Sequence, residues 1–333
     1  MESLLQGRGA VRKRLLFFIL LGWALLIVGD RVSNVRLFQG AEIAMFTIAL
    51  ASIVLLTGYS GQVSLGSGAI MAVGGYAAAL TITNLQTPIW FAFLMAVLVS
   101  ATFGAILGAA AARLSGPYLA GTTLALAVGV PALANQFNFL GGEQGIFFDV
   151  GFPPERFGSD FSQDKWFFWI SSFLALVSIF ITSNILKSRF GRTWQAIRAN
   201  SLAAELAGIH ANRMKILAFT LSSALAGLAG AVLGMNLSLV APGAYPLSLS
   251  FALVTGAVLA GISSLPGVML GAVILVAIPE IADLVAGGLG DSEKVTTHLP
   301  GLIVSVLLII SVIFTPNGPG ENIRRILHKK SAH

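Results

Sequence analysis

Long apolar runs recur along the chain, and their length limits the folds that it can adopt. Individual runs extend over about 15 to 25 residues and lack the alternation of apolar and polar residues that a barrel strand shows. With 56% hydrophobic and 10% charged residues, the chain resembles neither a soluble domain nor a disordered one. The sequence therefore predicts an all-α polytopic membrane protein with about eight to ten transmembrane helices.

The predicted spans form one transmembrane domain, residues 15–316, between an N-terminal segment 1–14 and a tail 317–333. Arg12, Lys13 and Arg14 precede the first apolar run. No small-x-small cleavage site follows this run, so we interpret it as an uncleaved span. The predicted spans are 15–29, 37–57, 58–76, 90–112, 118–137, 166–186, 216–240, two segments within 249–285, and 299–314.

Two long polar loops of opposite charge set the predicted orientation. The loop 187–215 carries six Lys or Arg against one acid, Glu205, whereas the loop 140–165 is mainly acidic and holds the pair Pro153-Pro154. By the positive-inside rule, the basic loop and both termini are expected in the cytoplasm and the acidic loop outside.

A short helix is predicted inside the basic loop. Ser201 is expected to cap it and Gly208 to end it, with good helix formers between them. This helix would be presented to a cytoplasmic partner.

The segment 58–76, GYSGQVSLGSGAIMAVGGY, is apolar enough to enter a membrane but too rich in glycine and small polar residues for a plain span. Glycines at these positions permit helix interruption or close helix approach. Backbone groups freed by an interruption need partners at membrane depth. The polar side chains of the segment can supply such partners or line a polar route, and helix packing by small residues explains the composition equally well.

A weak internal repeat links this segment to the C-terminal half. GQVSLGSGAIMAV from Gly61 and GISSLPGVMLGAV from Gly261 match in register at five positions: Gly61/Gly261, Ser64/Ser264, Leu65/Leu265, Ala72/Ala272 and Val73/Val273. Paired Gly-interrupted segments are typical of a transporter's central pathway. The ten-span topology puts both motifs on the same side, which corresponds to a parallel repeat; a re-entrant segment between them would make the repeat inverted.

Ionisable residues are scarce within the predicted spans. Glu42 and Glu280 are the acids placed there, and intramembrane carboxylates are functional candidates by default, although snorkelling or helix capping explains them equally well. The chain has no cysteine and no phosphate-binding loop ending in Lys-Ser or Lys-Thr. His210 is interpreted as a solvated loop residue, and the basic residues lack the interleaved aromatics of a nucleic-acid surface.

A family resemblance covers residues from about 40 to 316. The segment 58–80 resembles the most distinctive glycine-rich motif of the LivM-type membrane subunits of ABC importers for branched-chain and other amino acids. The stretch 190–234, beginning FGRTWQAIRANSLAAELAGIHANRMK, is similar to that family's cytoplasmic loop and following helix. The break at 260–272 and the pair Pro279-Glu280 fit its C-terminal part.

The chain departs from the family pattern at three places. Ser67 stands where the family often has His, and residues 263–266 replace a turn that contains Gly-Thr. The family's outer-loop motif survives only as Gly141 to Ile146. These differences bear on the substrate more than on the architecture, because related permeases carry urea or other small polar solutes.

The resemblance implies a permease of the cytoplasmic (inner) membrane of a prokaryote. Its expected partners are a second homologous permease, two cytoplasmic ABC ATPase subunits, an external solute-binding protein and the lipid bilayer, without nucleic acid. This chain would bind no cofactor, and ATP and Mg would be held by the ATPase subunits. The residues expected to couple to the ATPase are Arg198, Ser201, Ala203, Ala204, Glu205, Gly208, Ile209 and Arg213. The residues expected along the pathway are Gly58, Tyr59, Gly61, Gln62, Ser64, Gly66, Ser263 and Ser264, with Glu42 and Glu280.

Three functions therefore remain to be compared. The first is a non-enzymatic importer subunit for branched-chain or neutral amino acids, or for urea or another small polar solute. The second is an ion-coupled secondary transporter or a channel complete in one chain, which would be favoured if Glu42 or Glu280 were essential for ion coupling and transport persisted without an ATPase. The third is an intramembrane enzyme, which would require facing ionisable or metal-binding residues at membrane depth, and the sequence shows two separated carboxylates instead.

Overall fold

A computed structural model describes residues 16–289, except 17, 28, 113, 115, 149, 152 and 154–160, together with residue 306. For residues 117 and 282–289 it describes the backbone alone. Several predictions lie outside the described residues: the segment 1–14, the Pro153-Pro154 pair as a unit, the span 299–314 and the tail 317–333.

The described chain is almost entirely helical, which confirms the predicted fold class. Its first half contains α1 (Phe18–Ile27), α2 (Asn34–Ile53), a π-helical turn (Val54–Tyr59), α3 (Ser67–Leu85), α4 (Ile89–Ala111) and α5 (Pro117–Gln136). Two short 3₁₀ turns follow, Asn138–Leu140 and Gly142–Gln144, and then β1 (Ile146–Phe147). The second half contains α6 (Gln163–Lys187), α7 (Arg189–Ala199), α8 (Ser201–Leu206), α9 (Ala211–Leu237), β2 (Leu239–Val240), a 3₁₀ turn (Pro242–Ala244), α10 (Leu247–Ala260) and α11 (Val268–Leu289).

Within the described residues, seven helices are long and apolar enough to cross a membrane. They are α2 with its π turn, α3, α4, α5, α6, α9 and α10 with the preceding 3₁₀ turn. Two shorter apolar helices, Phe18–Ile27 and Val268–Ile281, fall at other predicted spans.

The prediction for the third span was wrong in its register. Gly58 and Tyr59 belong to the π turn that ends the second span, and the third span begins at Ser67 and continues to Leu85. The physical reason is that the glycine-rich stretch is not helical over residues 60–66, so the helix of the third span begins only after them.

Small residues allow α9 to lie directly against α3 and α4 at the centre of the bundle. A Cβ at Gly230 would collide with the Met71 carbonyl oxygen, and one at Gly74 would collide with the Gly227 backbone. Within a bilayer, helices associate through such close packing because lipid and apolar side chains are equally apolar. The glycines of the 58–76 segment therefore serve both of the roles proposed from sequence: those before Ser67 interrupt the helix, and Gly74 packs it.

The loop 140–165 is attached to the bundle at the end of α9. β1 pairs antiparallel with β2, and Ile146 lies opposite Val240. Gly145 has a φ of 73°, and its Cα approaches the Val240 carbonyl so closely that a Cβ would collide with it. Gly145 and Ile146 belong to the stretch 141–146, in which a remnant of the family's outer-loop motif was expected from the resemblance.

The central packing predicts that Gly230→Leu destabilises the protein. The new side chain would have to displace the α3 backbone at Met71, and overpacking of this kind costs about 3 kcal/mol. The measurement is the free energy of unfolding in mixed detergent micelles.

Gly121→Leu is the matched control, because Gly121 also lies within a helix but has open space around its Cβ position. Equal stability of the two variants would contradict the packing described here.

Candidate functional site

The first interruption is the non-helical stretch 60–66, which joins α2 and its π turn to α3. The chain leaves α2 through the π turn, passes Ser60 to Gly66 and starts α3 at Ser67. Gly61 has a φ of 74°, a conformation that costs other residues strain energy but costs glycine little. Gln62 then donates its backbone N–H to the Leu56 carbonyl at 3.2 Å. A π turn of this kind is frequently found at functional sites in helical proteins.

The second interruption separates α10 from α11 at residues 261–267. Gly261, the repeat counterpart of Gly61, also has a positive φ, 87°. Ser264, the counterpart of Ser64, is buried, and its Oγ accepts the Gly267 N–H at 3.3 Å. Ser64 behaves alike, accepting the Gly66 N–H at 3.3 Å. Both serines thus stabilise the local turn of their own interruption.

The two interruptions lie in contact at one end of the bundle. A Cβ at Gly58 would collide with the Ile262 carbonyl oxygen, so only glycine fits there. Ser263 donates its Oγ hydrogen to the Gly58 carbonyl at 3.3 Å. A helix starts at this end after each interruption, which agrees with the same-side arrangement that the ten-span topology predicts.

Arg198, from the basic loop, binds both interruptions. Its Nη1 donates to the Gly58 carbonyl and, at 3.0 Å, to Ser263 Oγ. Its stem covers Gly61, whose Cβ position would be 2.9 Å from Arg198 Cγ. A guanidinium stays charged at any physiological pH, and hydrogen bonds from a charged donor are stronger than neutral ones. We call Arg198, Gly58 and Ser263 the Arg198 node.

A well-anchored helix positions Arg198. Ser188 caps α7 by accepting the Phe190 N–H at 3.2 Å. Trp194 is fully buried, and its Nε1 donates to the Met214 carbonyl on α9 at 2.9 Å. α7 is thereby fixed against the first turn of α9, and Arg198 extends from its last turn.

Gln62 connects the first interruption to the same part of α9. Its Nε2 donates to Ser60 Oγ at 2.6 Å and to the Lys215 carbonyl at 3.2 Å. Because a carbonyl can only accept, this contact fixes the orientation of the amide. The buried Oε1 has no hydrogen-bond partner within the described residues. The side chain predicted to line a pathway therefore also ties the interruption to α9.

Two other helices provide hydrogen-bond acceptors for backbone N–H groups that lack a helical partner at the first interruption. Thr123 Oγ1 on α5 accepts the Leu65 N–H at 3.0 Å. Ser250 Oγ on α10 accepts the Gly68 N–H at 3.0 Å. A Cβ at Gly66 would be 2.9 Å from the Thr123 carbonyl, so this part of the chain also requires a small residue.

A cavity of about 410 Å³ lies beside the Arg198 node. Its wall combines the first interruption, the start of α5 and the basic loop. The lining residues are Ser60, Gly61, Gln62, Val63, Leu114, Gly116, Leu119, Ala120, Ile197, Arg198, Ser201 and Lys215. The volume lies in the range of small-molecule sites.

The predicted short helix exists as α8, but Ser201 does not cap it. Asn200 occupies the cap position, has extended backbone angles and accepts the Ala203 N–H at 3.0 Å through its Oδ1. Ser201 is the first helical residue instead. Both residue types cap well, and the extended backbone at Asn200 decides between them.

Gly208 ends α8 as predicted. It has a φ of 83°, and its N–H donates to the Glu205 carbonyl at 2.9 Å. Ile209 donates to the Ala204 carbonyl at 3.0 Å and packs against the same residue. These two bonds form a Schellman motif, which fixes the direction of the chain after the helix.

α8 presents two leucines to its surroundings. Leu202 is 74% exposed and Leu206 is 89% exposed. They are four residues apart, and therefore on one face of the helix. Ala203 and Glu205 are exposed as well, and Ala204 is the buried residue that attaches α8 to α7 and α9.

The structure does not bring Glu42 or Glu280 to the node. Glu280 accepts a hydrogen bond from Gln39 Nε2 at 2.6 Å, near the opposite end of α2. Glu42 lies one turn further along α2 and is half-buried. Arg213 is exposed in the first turn of α9, and Tyr59 packs on the main core. In the part of the chain that the structure covers, no three His, Cys, Asp or Glu residues could hold a metal ion together.

Sequence reasoning missed Trp194, Asn200, Thr123 and Ser250. The apolar residues Phe190, Trp194 and Ile197 recur at helical spacing within the basic loop, and this amphipathic pattern could have revealed α7 and its anchored face. Thr123 and Ser250 carry no comparable signal, because single hydroxyl residues are common in membrane helices.

Comparison with known proteins places these features in a family. The model of the family described as "branched-chain amino acid transport system / permease component" matches residues 38–312. The LivM permease protein of Salmonella typhimurium, from a high-affinity branched-chain amino acid transport system, is 29% identical over 289 residues, which cover 79% of this chain and 65% of that protein.

Two further relatives carry similar names. The LivH permease protein of Salmonella typhimurium is 26% identical over 306 residues, which cover 85% of this chain and 94% of that protein. The BraD permease protein of Pseudomonas aeruginosa is 35% identical over 144 residues, 43% of each chain. The chain spans about two thirds of the length of the LivM relatives that it matches. Because the family model matches most of the chain, the chain belongs to the family of permease components of branched-chain amino acid transport systems.

Proposed function

We propose that this chain is a membrane subunit of an ATP-binding cassette importer that moves branched-chain or other neutral amino acids across the cytoplasmic membrane of a prokaryote. Movement would follow alternating access, driven by ATP that other subunits hydrolyse. The observation that supports this most directly is α8: an exposed helix with an apolar face, held at the end of an anchored basic loop.

The face of α8 suits a groove on a cytoplasmic ATPase. Leu202 and Leu206 are too exposed to stabilise this chain alone, and amphipathic helices with such anchors commonly bind in grooves of partner proteins. The sequence contains no nucleotide-binding loop, so ATP and Mg would be bound by two ATPase subunits. Without bound nucleotide of its own, this chain would act as a transport subunit and not as an enzyme.

The other proposed partners follow from the relatives. The chain is similar to both LivM and LivH, two differently named permease proteins of the same kind of transport system in one organism. This supports pairing with a second homologous permease. An external solute-binding protein would deliver the solute to the end of the bundle that carries the loop 140–165.

The orientation that fits these partners puts the Arg198 node at the cytoplasmic end. Both interruptions, α7 and α8 would then lie at the inner mouth, and both termini in the cytoplasm. The ion-coupled alternative gains no support from the structure, since the Gln39–Glu280 hydrogen bond lies at the far end of α2 from both interruptions.

The first prediction concerns the apolar face of α8. Leu206→Glu should weaken binding of the ATPase subunits by roughly tenfold, because it puts a charge in the proposed contact. Binding is measured by titrating purified ATPase into the detergent-solubilised permease complex.

Gln195→Glu is the matched control, since it adds the same negative charge to an exposed position of α7 in the same loop. If the two variants bind the ATPase equally well, α8 is not the contact.

The second prediction concerns the turn after α8. Proline requires a φ near −65°, whereas Gly208 has a φ of 83°, so Gly208→Pro should misdirect α8 and lower transport per ATP hydrolysed. Gly208→Asn should retain most of the coupling, because asparagine tolerates the left-handed conformation. Transport and ATP hydrolysis are measured together in proteoliposomes, and unchanged coupling in the proline variant would argue against this role.

A further inference from the structure

We propose that Arg198 is a positioning residue for transport, through which displacement of α8 reaches both interrupted segments at once. This inference rests on the proposed function, since it takes α8 to be the helix that the ATPase moves. It adds that the hydrogen bonds of one side chain, Arg198, transmit the displacement of that helix to the two interruptions.

The first step of the argument is the short connection between α8 and Arg198. α7 ends at Ala199, directly after Arg198, and α8 begins at Ser201 after its cap Asn200. The Asn200 N–H donates to the Ala196 carbonyl, so the cap of α8 also continues the hydrogen bonding of α7. A displacement of α8 therefore acts on the turn that carries Arg198.

The second step is that Arg198 holds groups from two distant parts of the chain. Gly58 lies in the π turn that ends the second span, just before the first interruption, and Ser263 lies within the second interruption. Without the guanidinium, the direct hydrogen bond between them is the single 3.3 Å bond from Ser263 to the Gly58 carbonyl, beside the close backbone approach of Gly58 to Ile262. Because a freed carbonyl within a membrane protein needs a donor, loss of Arg198 would weaken the closed arrangement of the two interruptions.

The third step concerns the charge of Arg198. Within the described residues, no carboxylate lies within ion-pair distance of its guanidinium, and the one ion pair seen there joins Lys165 to Asp30. The guanidinium is stabilised by the carbonyl and hydroxyl oxygens of the two interruptions. Its partners are thus groups whose positions are expected to change during alternating access, not a fixed acid that would keep it in place.

The main test is the number of solute molecules transported per ATP by the complete complex in proteoliposomes. Arg198→Ala should lower this ratio on the order of tenfold, in line with residues that carry coupling between sites. Arg198→Lys keeps a charge and several donors, so it should retain a larger part of the ratio. A wild-type ratio in Arg198→Ala would overturn the inference.

Arg192→Ala is the matched control. Arg192 lies on the same helix and carries the same charge, but among the described residues its Nη1 donates to the Lys187 carbonyl of the same loop and to neither interruption. Its ratio should stay at the wild-type value. An equal loss in both variants would show a general effect of loop charge and would also overturn the inference.

Co-purification of the ATPase subunits separates this inference from the proposed function. If wild-type protein binds ATPase and Arg198→Ala keeps the wild-type transport ratio, only the role of Arg198 fails. If wild-type protein binds no ATPase and transports without ATP, the proposed function fails, and this inference fails with it.

Discussion

The backbone of a membrane-embedded chain must find its hydrogen-bond partners within the protein. Most of this structure can be understood from the places where an intact helix does not supply those partners. Residues 60–66 and 261–267 interrupt two spans. Thr123, Ser250 and Arg198 then satisfy groups around these interruptions, each from a different helix. The interruptions consequently join α5, α7 and α10 into one local structure, which a bundle of continuous helices would not require.

Close packing of small residues gives this local structure a firm support. α9 contacts α3 through Gly227 and Gly230, and α4 through Gly104 and Ser223. Displacing these helices would require backbone atoms in direct contact along the helices to separate, whereas the two interruptions are joined by a few hydrogen bonds and by the close backbone approach of Gly58 to Ile262. In the proposed alternating access, the end that carries the interruptions would rearrange while the centre keeps its packing.

The fold was predictable to the extent that it depends on local sequence. Apolar length indicated the spans, six cationic residues marked the loop 187–215, and Gly208 marked the end of α8. The repeat pointed to Gly61 and Gly261, which do share a positive φ. The choice of Asn200 over Ser201 as a cap was not predictable, because both side chains can accept the same kind of hydrogen bond and the backbone angles decide. The Arg198 node was also out of reach: Arg198 and Gly58 are 140 residues apart, and no local pattern specifies such a contact.

α2 contacts the C-terminal hairpin near both of its ends. Near one end of α2, Gln39 donates to Glu280 of α11; near the other, Gly58 lies against the second interruption. Nineteen residues of helix place these contacts roughly 28 Å apart. Between them, Leu50 packs against Gly271, whose Cβ position is 3.1 Å from the leucine Cδ1. The close central approach of α2 and α11 thus lies between hydrogen-bonded contacts at both ends. In the proposed alternating access, the Gln39–Glu280 hydrogen bond would hold the far end closed, a role that needs no ion coupling.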